Sequence, residues 1–137
     1  MARGPSRAMR EPEITAIKGD TPMAITRHEP SKIYSKVVEA NGFVFTAGIT
    51  AGDTKQDAKG QTEQILKEID RLLKLCGTDT TTVVSATIWV PDIRLRDPMN
   101  EAWNAWTGGE NLPGRACIEA KLADPRLLVE IAVVAAK

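Results

Sequence analysis

The stretch Pro113-Gly114-Arg115-Ala116-Cys117-Ile118-Glu119-Ala120-Lys121 decides how the chain is read. It alternates strictly and predicts a β-strand. Arg115, Cys117, Glu119 and Lys121 fall on one face; Ala116, Ile118, Ala120 and Leu122 fall on the other. A Pro-Gly corner precedes Arg115, a position from which a guanidinium reaches into a cleft rather than into bulk water. Downstream, Leu127 to Ala135 reads as a second strand, apolar except for Glu130. A lone carboxylate in such a strand is costly unless it is paired, solvated or used. The linker Ala123-Asp124-Pro125-Arg126 is short enough for a hairpin, which sets Arg115 and Glu130 on neighbouring strands facing one pocket. The pair then reads either as a structural salt bridge or as a site. In the site reading Arg115 grips a carboxylate with its planar fork and Glu130 acts on a water molecule.

Upstream, Asp97-Pro98 predicts a helix start, N-cap then proline, with a buried stripe of Met99, Ala102, Trp103 and Trp106 and a stop at Gly108-Gly109. Asn100 lies in its first turn, near where the chain turns back toward Arg115. Thr82 to Val90 predicts a strand with Val84, Ala86, Ile88 and Val90 on one face and Val83, Ser85, Thr87 and Trp89 on the other. Thr54-Lys55-Gln56-Asp57 resembles a capping box. The helix after it carries Thr62, Ile65, Leu66, Ile69, Leu72, Leu73 and Cys76 at helical spacing and ends at Gly77. Cys76, on the apolar stripe, belongs to the core.

Further upstream, Tyr34–Ala40 and Phe43–Ala47 flank Asn41-Gly42, the strongest short hairpin signal. Tyr34 opens this hairpin, as a rim aromatic or as a pocket wall with a hydroxyl handle. Gly48 ends it, at a point that suggests close backbone approach. Met23 to His28 is a short strand candidate, with His28, the single histidine, read as a surface residue. Residues 1–22 carry Arg3, Arg7, Arg10, Pro5 and Pro12 without periodicity. They read as a flexible extension before a single domain over residues 23–137.

The chain's 137 residues suffice for one core, and 18 basic residues balance 18 acidic ones. That balance argues against electrostatic capture of nucleic acid, and no apolar run approaches the length of a membrane span. Cys76 and Cys117 lack a paired-cysteine spacing and read as reduced thiols of a cytoplasmic protein. A single histidine argues against a metal site. The order β-β-β-α-β-α-β-β predicts an α+β domain: a mixed sheet with two helices on one face. The other face, expected to carry Cys117 and Glu119 beside Ser85, Thr87 and Trp89, is too apolar to stay bare and too polar for a core. An oligomer interface with polar residues at its seam satisfies both demands.

The run Leu112-Pro113-Gly114-Arg115-Ala116-Cys117-Ile118-Glu119, followed by Leu128-Val129-Glu130-Ile131, resembles the RidA/YjgF family of reactive-intermediate deaminases. The Tyr34 strand, the Phe-Thr-Ala-Gly end at Gly48 and the Asn100 helix extend the resemblance across roughly residues 24–137. It implies a chorismate-mutase-like fold and a homotrimer with pockets between subunits. The implied reaction is hydrolysis of 2-imino or 2-enamino acids to 2-oxo acids and ammonia, without metal or cofactor. By the same resemblance Arg115 binds the substrate carboxylate and Glu130 positions the attacking water. Cys117 contributes backbone contacts, and Tyr34, Gly48 and Asn100 complete the pocket. Two positions depart from the family pattern: Ala47, where many members have serine, and Gly114, where alanine is usual. The missing hydroxyl at Ala47 motivates an alternative, a non-catalytic trimeric module that holds small carboxylate ligands such as 2-oxo acids. Covalent catalysis by Cys117 is disfavoured, since no histidine neighbours it in the strand and only Arg115 stands near to activate it.

Overall fold

The computed structural model describes residues 24–137. The extension expected over residues 1–22 lies outside the described residues. The elements are β1 (Ile25–Pro30), β2 (Ser35–Ala40), β3 (Phe43–Thr46), β4 (Ile49–Thr50), α1 (Ala58–Leu75), β5 (Val83–Val90), α2 (Arg96–Thr107), β6 (Gly114–Glu119) and β7 (Glu130–Ala136). The expected order is present, with the two-residue β4 added. Asn41 and Gly42 both adopt positive φ, at 52° and 79°, the conformation a two-residue turn between twisted strands requires. β2 and β3 pair on either side of it, Ala40 opposite Phe43.

α1 buries Ile65, Leu66, Ile69, Leu72 and Leu73 on its sheet-facing stripe. It begins later than the capping-box reading places it. Asp57 is the N-cap, and its carboxylate accepts the Gly60 N–H at 2.8 Å. At the other end Gly77 sits at φ 83°, its N–H donating to the Lys74 carbonyl while the Thr78 N–H reaches the Leu73 carbonyl. This left-handed exit satisfies carbonyls that the helix leaves free. α2 also starts differently from expectation. A short 3-10 turn over Ile93–Leu95, capped by Asp92, runs directly into it, so Asp97 lies in the first turn instead of capping it. There its charge suits the positive end of the helix. Asp70 ties the helices together, accepting from Trp106 Nε1 at 2.9 Å.

The sheet order is β1-β2-β3-β7-β5-β6, with β4 pairing the start of β7. All pairs are antiparallel except β5 with β6, which α2 connects as a crossover. This corrects the hairpin expected between the Arg115 and Glu130 strands: β5 lies between them. The residues Leu127–Val129, read as part of the last strand, do not join the ladder. Leu127 and Val129 are buried, and the Leu128 N–H is taken by a side chain of α1.

The register also corrects the face assignments. Arg115 pairs with Ala86, Cys117 with Ile88 and Glu119 with Val90, all three partners buried toward the helices. Cys117 and Glu119 therefore lie on the helix side of edge strand β6, and Ala116 and Ile118 face the uncovered side with Thr87 and Trp89. Val84 departs as well. A bulge sets Val84 and Ser85 together against Val134, so Val83 enters the core and Val84 stays 48% exposed. The uncovered face is apolar: Ile25, Phe43, Phe45, Val84 and Ile118 are all exposed, and the Phe43 and Phe45 rings stand 6.3 Å apart.

Candidate functional site

The candidate residues fall into two groups. The first surrounds Glu130. β7 pairs with β3 at its far end and with β4 at its start, and between these pairings the segment Thr46–Gly48 leaves the ladder. The Thr46 hydroxyl accepts the Val133 N–H at 3.0 Å, replacing the lost backbone partner. The resulting notch receives the Glu130 side chain. A Cβ at position 48 would overlap Glu130 Oε2, so only glycine lets the carboxylate lie against this backbone. A cleft of about 400 Å³ opens here, lined by Tyr34, Ala47, Gly48, Thr50, Leu127 and Glu130. Tyr34 is presented by a tight turn in which Ser31 Oγ accepts the Ile33 and Tyr34 N–H groups at 3.1 and 3.2 Å. The ring is 56% exposed at the rim.

A second cleft shares Tyr34, Gly48 and Thr50 and runs toward α1, where Lys36, Gln64 and Glu68 line it. Lys36 donates to Glu68 at 2.8 Å, and Arg71 bridges Glu68, at 2.8 and 2.9 Å, to Glu29, with both contacts at 2.8 Å. Hydrogen bonding from Arg71 first, then Lys36, holds the Glu68 carboxyl down to about 2 against the opposing effect of burial.

The sequence reading missed Gln61. It looks like a surface residue of a polar helix start, yet it is fully buried. Its amide nitrogen donates to the carbonyls of Gln56 and Arg126, both at 3.1 Å, and its Oε1 accepts the Leu128 N–H at 2.9 Å. Gln61 thus fastens the segment leading into β7, and with it Leu127 and Glu130, to the start of α1. Its position beside the Thr62–Leu66 stripe was the one available sequence signal.

The second group surrounds Arg115 on edge strand β6. Nη1 donates to Asn100 Oδ1 at 2.8 Å, and the guanidinium carbon lies 5.1 Å from the centre of the Trp103 ring. Trp103 is buried, so the cation rests on a fixed aromatic floor. Among the described residues the remaining guanidinium N–H groups have no hydrogen-bond partner. Cys117 packs against the core edge on the same side. The expected proximity of Asn100 to Arg115 is thus present.

The two groups do not meet within one chain. Glu130 pairs with Trp89 and Arg115 with Ala86, three residues apart along β5 and on its opposite edges. That places them roughly 10 Å apart along the sheet and about 10 Å across it, on opposite faces. Tyr34, Gly48 and Glu130 form one cluster; Arg115, Asn100 and Cys117 form the other. A polarised or bound water fits the first, and a carboxylate fits the second. The metal-competent side chains that cluster among the described residues lie elsewhere, on β1, β2 and the end of α1.

Comparison with known proteins agrees with this architecture. The family model described as endoribonuclease L-PSP matches residues 24–137. A RutC family protein of Haemophilus ducreyi is 39% identical over 112 residues, covering 82% of this chain and 96% of that protein. The crystal structure of a YjgF family member from Neisseria meningitidis superposes with a TM-score of 0.81 at 38% identity, covering 84% of this chain and 96% of that one. A member of the YjgF/YER057c/UK114 family from Mycobacterium tuberculosis gives a TM-score of 0.76 at 28% identity, over 83% of this chain and all of its own length, 100%.

Proposed function

The chain belongs to the RidA/YjgF family, and from that premise we propose that it hydrolyses 2-imino or 2-enamino acids to 2-oxo acids and ammonia. The observation that carries the proposal is the pair of complementary half-sites. The Glu130 carboxylate lies in a notch over Gly48, and the Arg115 guanidinium stands on an aromatic floor with donors to spare. Arg115 takes the substrate carboxylate and fixes the neighbouring imine carbon. Glu130 accepts a hydrogen bond from a water aimed at that carbon. Water adds to the protonated imine, the C–N bond breaks, and the carbon keeps the water oxygen as a carbonyl while ammonium departs. An iminium carbon is electrophilic enough that orienting the water supplies most of what is needed.

In this reading the protein is a homotrimer. The uncovered sheet face with Ile25, Phe43, Phe45 and Ile118 packs against other copies, and each pocket joins the Glu130 half of one copy to the Arg115 half of the next. The reaction belongs in the reducing cytoplasm, where the free thiols Cys76 and Cys117 persist. Among the described residues no helix is long and apolar enough to cross a membrane.

The test is release of ammonia and oxo acid when the protein is added to an amino-acid oxidase that generates the imine in place. Acceleration over spontaneous hydrolysis is expected. No acceleration with any of several amino acids would sink the proposal. Ala47 favours a second reading, since it lines the cleft without a hydroxyl, where the family pattern that the sequence resembles implies a serine. A pocket that binds 2-oxo acids in a calorimetric titration but turns nothing over would make this chain a carboxylate-binding module.

A further inference from the structure

The single histidine, His28, is not an idle surface group. The β1–β2 register sets His28 opposite Val37 and Thr26 opposite Glu39, so His28 and Glu39 are diagonal neighbours on the helix-facing side. His28 Nε2 lies 2.6 Å from Glu39 Oε2. Above them α1 ends at Cys76, whose side chain points down from the C-cap into the core edge and is 2% exposed. The ligand-capable atoms of His28, Glu39 and Cys76 all lie within 4.8 Å of one another. Lys137, just beyond β7, hydrogen-bonds the Gly42 carbonyl through its N–H and sets its ammonium against Glu39.

We propose that His28 Nε2, the Glu39 carboxylate and Cys76 Sγ form a three-ligand site for a divalent cation of the zinc type, with the Lys137 ammonium standing in for it when the cation is absent. One nitrogen, one oxygen and one sulfur donor suit a borderline-soft cation, and three protein ligands leave a fourth position for water. Zinc bonds of about 2.0–2.3 Å in a tetrahedron put ligand atoms roughly 3.3–3.8 Å apart. The His28–Glu39 contact must therefore open slightly and the widest separation must close, shifts within the reach of side-chain rotation. Glu39 and His28 are each about one-fifth exposed, at 18% and 22%, so the cation has a route in that does not cross the core. Binding releases the thiol proton of Cys76 to solvent. The site joins β1, β2 and the end of α1, elements that carry none of the Arg115 half-site.

Titration of the full-length protein with Co²⁺ tests this without reference to turnover. The expected result is one equivalent bound per chain, with thiolate-to-cobalt absorption in the near ultraviolet, removed by one equivalent of Zn²⁺. Cys76→Ala and His28→Ala, each checked for folding by circular dichroism, should lose the band, and Cys117→Ser should keep it. Should Cys76→Ala fail to fold, His28→Ala at the half-buried sheet edge carries the test. Absence of the band in the parent protein would overturn the proposal, as would its survival in His28→Ala or its loss in Cys117→Ser. Lys137→Ala removes the competing ammonium and should tighten Co²⁺ binding several-fold. Unchanged affinity there would overturn the stand-in role of Lys137.

Discussion

At the scale of single residues, the position most sensitive to a small change is Gly48. Adding one methyl drives a Cβ into the Glu130 carboxylate. Gly48→Ala should lower kcat/KM on the order of 10²-fold, because in the proposed mechanism the carboxylate that orients the water is displaced by about an ångström. Melting should shift far less, since the carboxylate can swing into the open cleft. Arg115→Lys keeps the charge and loses the fork. Losing one charge-assisted hydrogen bond of about 1.5–3 kcal/mol predicts roughly tenfold or more in kcat/KM. Arg115→Ala should be worse. If Arg115 only held Asn100 and Trp103 in place, the melting temperature would fall and activity per folded molecule would stay near the parent value. Measuring both on both variants separates site from scaffold. Gln61→Met retains the side chain's size but removes the partner of the half-buried Leu128 N–H and the donor to the Gln56 and Arg126 carbonyls. A cost of about 2 kcal/mol or more in denaturant unfolding is expected, and an unchanged midpoint would remove Gln61 from its positioning role.

Among the elements, α1 is bound to the β1–β2 edge through the run Glu29–Arg71–Glu68–Lys36. Glu68 titrates at about 2 in the folded chain against 4.5 for the free side chain, held there by Arg71 and Lys36. A depressed carboxyl stabilises the fold fully above its unfolded value and loses that contribution as pH falls from about 4.5 toward about 2. Partial exposure limits the effect to on the order of 1 kcal/mol. In Glu68→Gln the stability curve should flatten across that acid window and change little with pH above it, which thermal melts at stepped pH would show. The elements also mark the limit of what local sequence conveys. α1 with its glycine exit and the Asn41-Gly42 turn were legible because each depends on neighbours in sequence, and the Asn100–Arg115 proximity because one short connection joins their elements. The place of β7 was not, because a strand with two apolar faces carries no record of which partner lies on each edge. Val84 reads as a core residue until a bulge, set by register against Val134, turns it outward. Gln61 reads as surface because two of the partners that draw it inward come from residues 126 and 128, which no window around α1 contains.

For the whole molecule, the separation of the half-sites makes a sharp prediction. A mixture of inactive Arg115→Ala and Glu130→Gln proteins, unfolded together and refolded, should regain activity. In randomly mixed trimers about one quarter of pockets combine two intact halves. No recovery would place both groups in the same copy's site or in none. Phe45→Glu puts a charge on the exposed apolar face; light scattering should then report a smaller particle, and activity should fall with it. A parent protein that stays monomeric at micromolar concentration would refute the trimer directly. The central place of β7 has a further bearing on how the chain comes to be folded at all. It bridges β3 to β5, so the N-terminal meander and the β5–α2–β6 unit share no ladder until β7 arrives. During synthesis every strand it joins emerges first and waits with an open edge. The sheet closes only after translation has passed residue 130. Until then the chain offers nascent strand edges to chaperones and to other copies of itself, and contacts far apart in sequence govern how fast that interval ends.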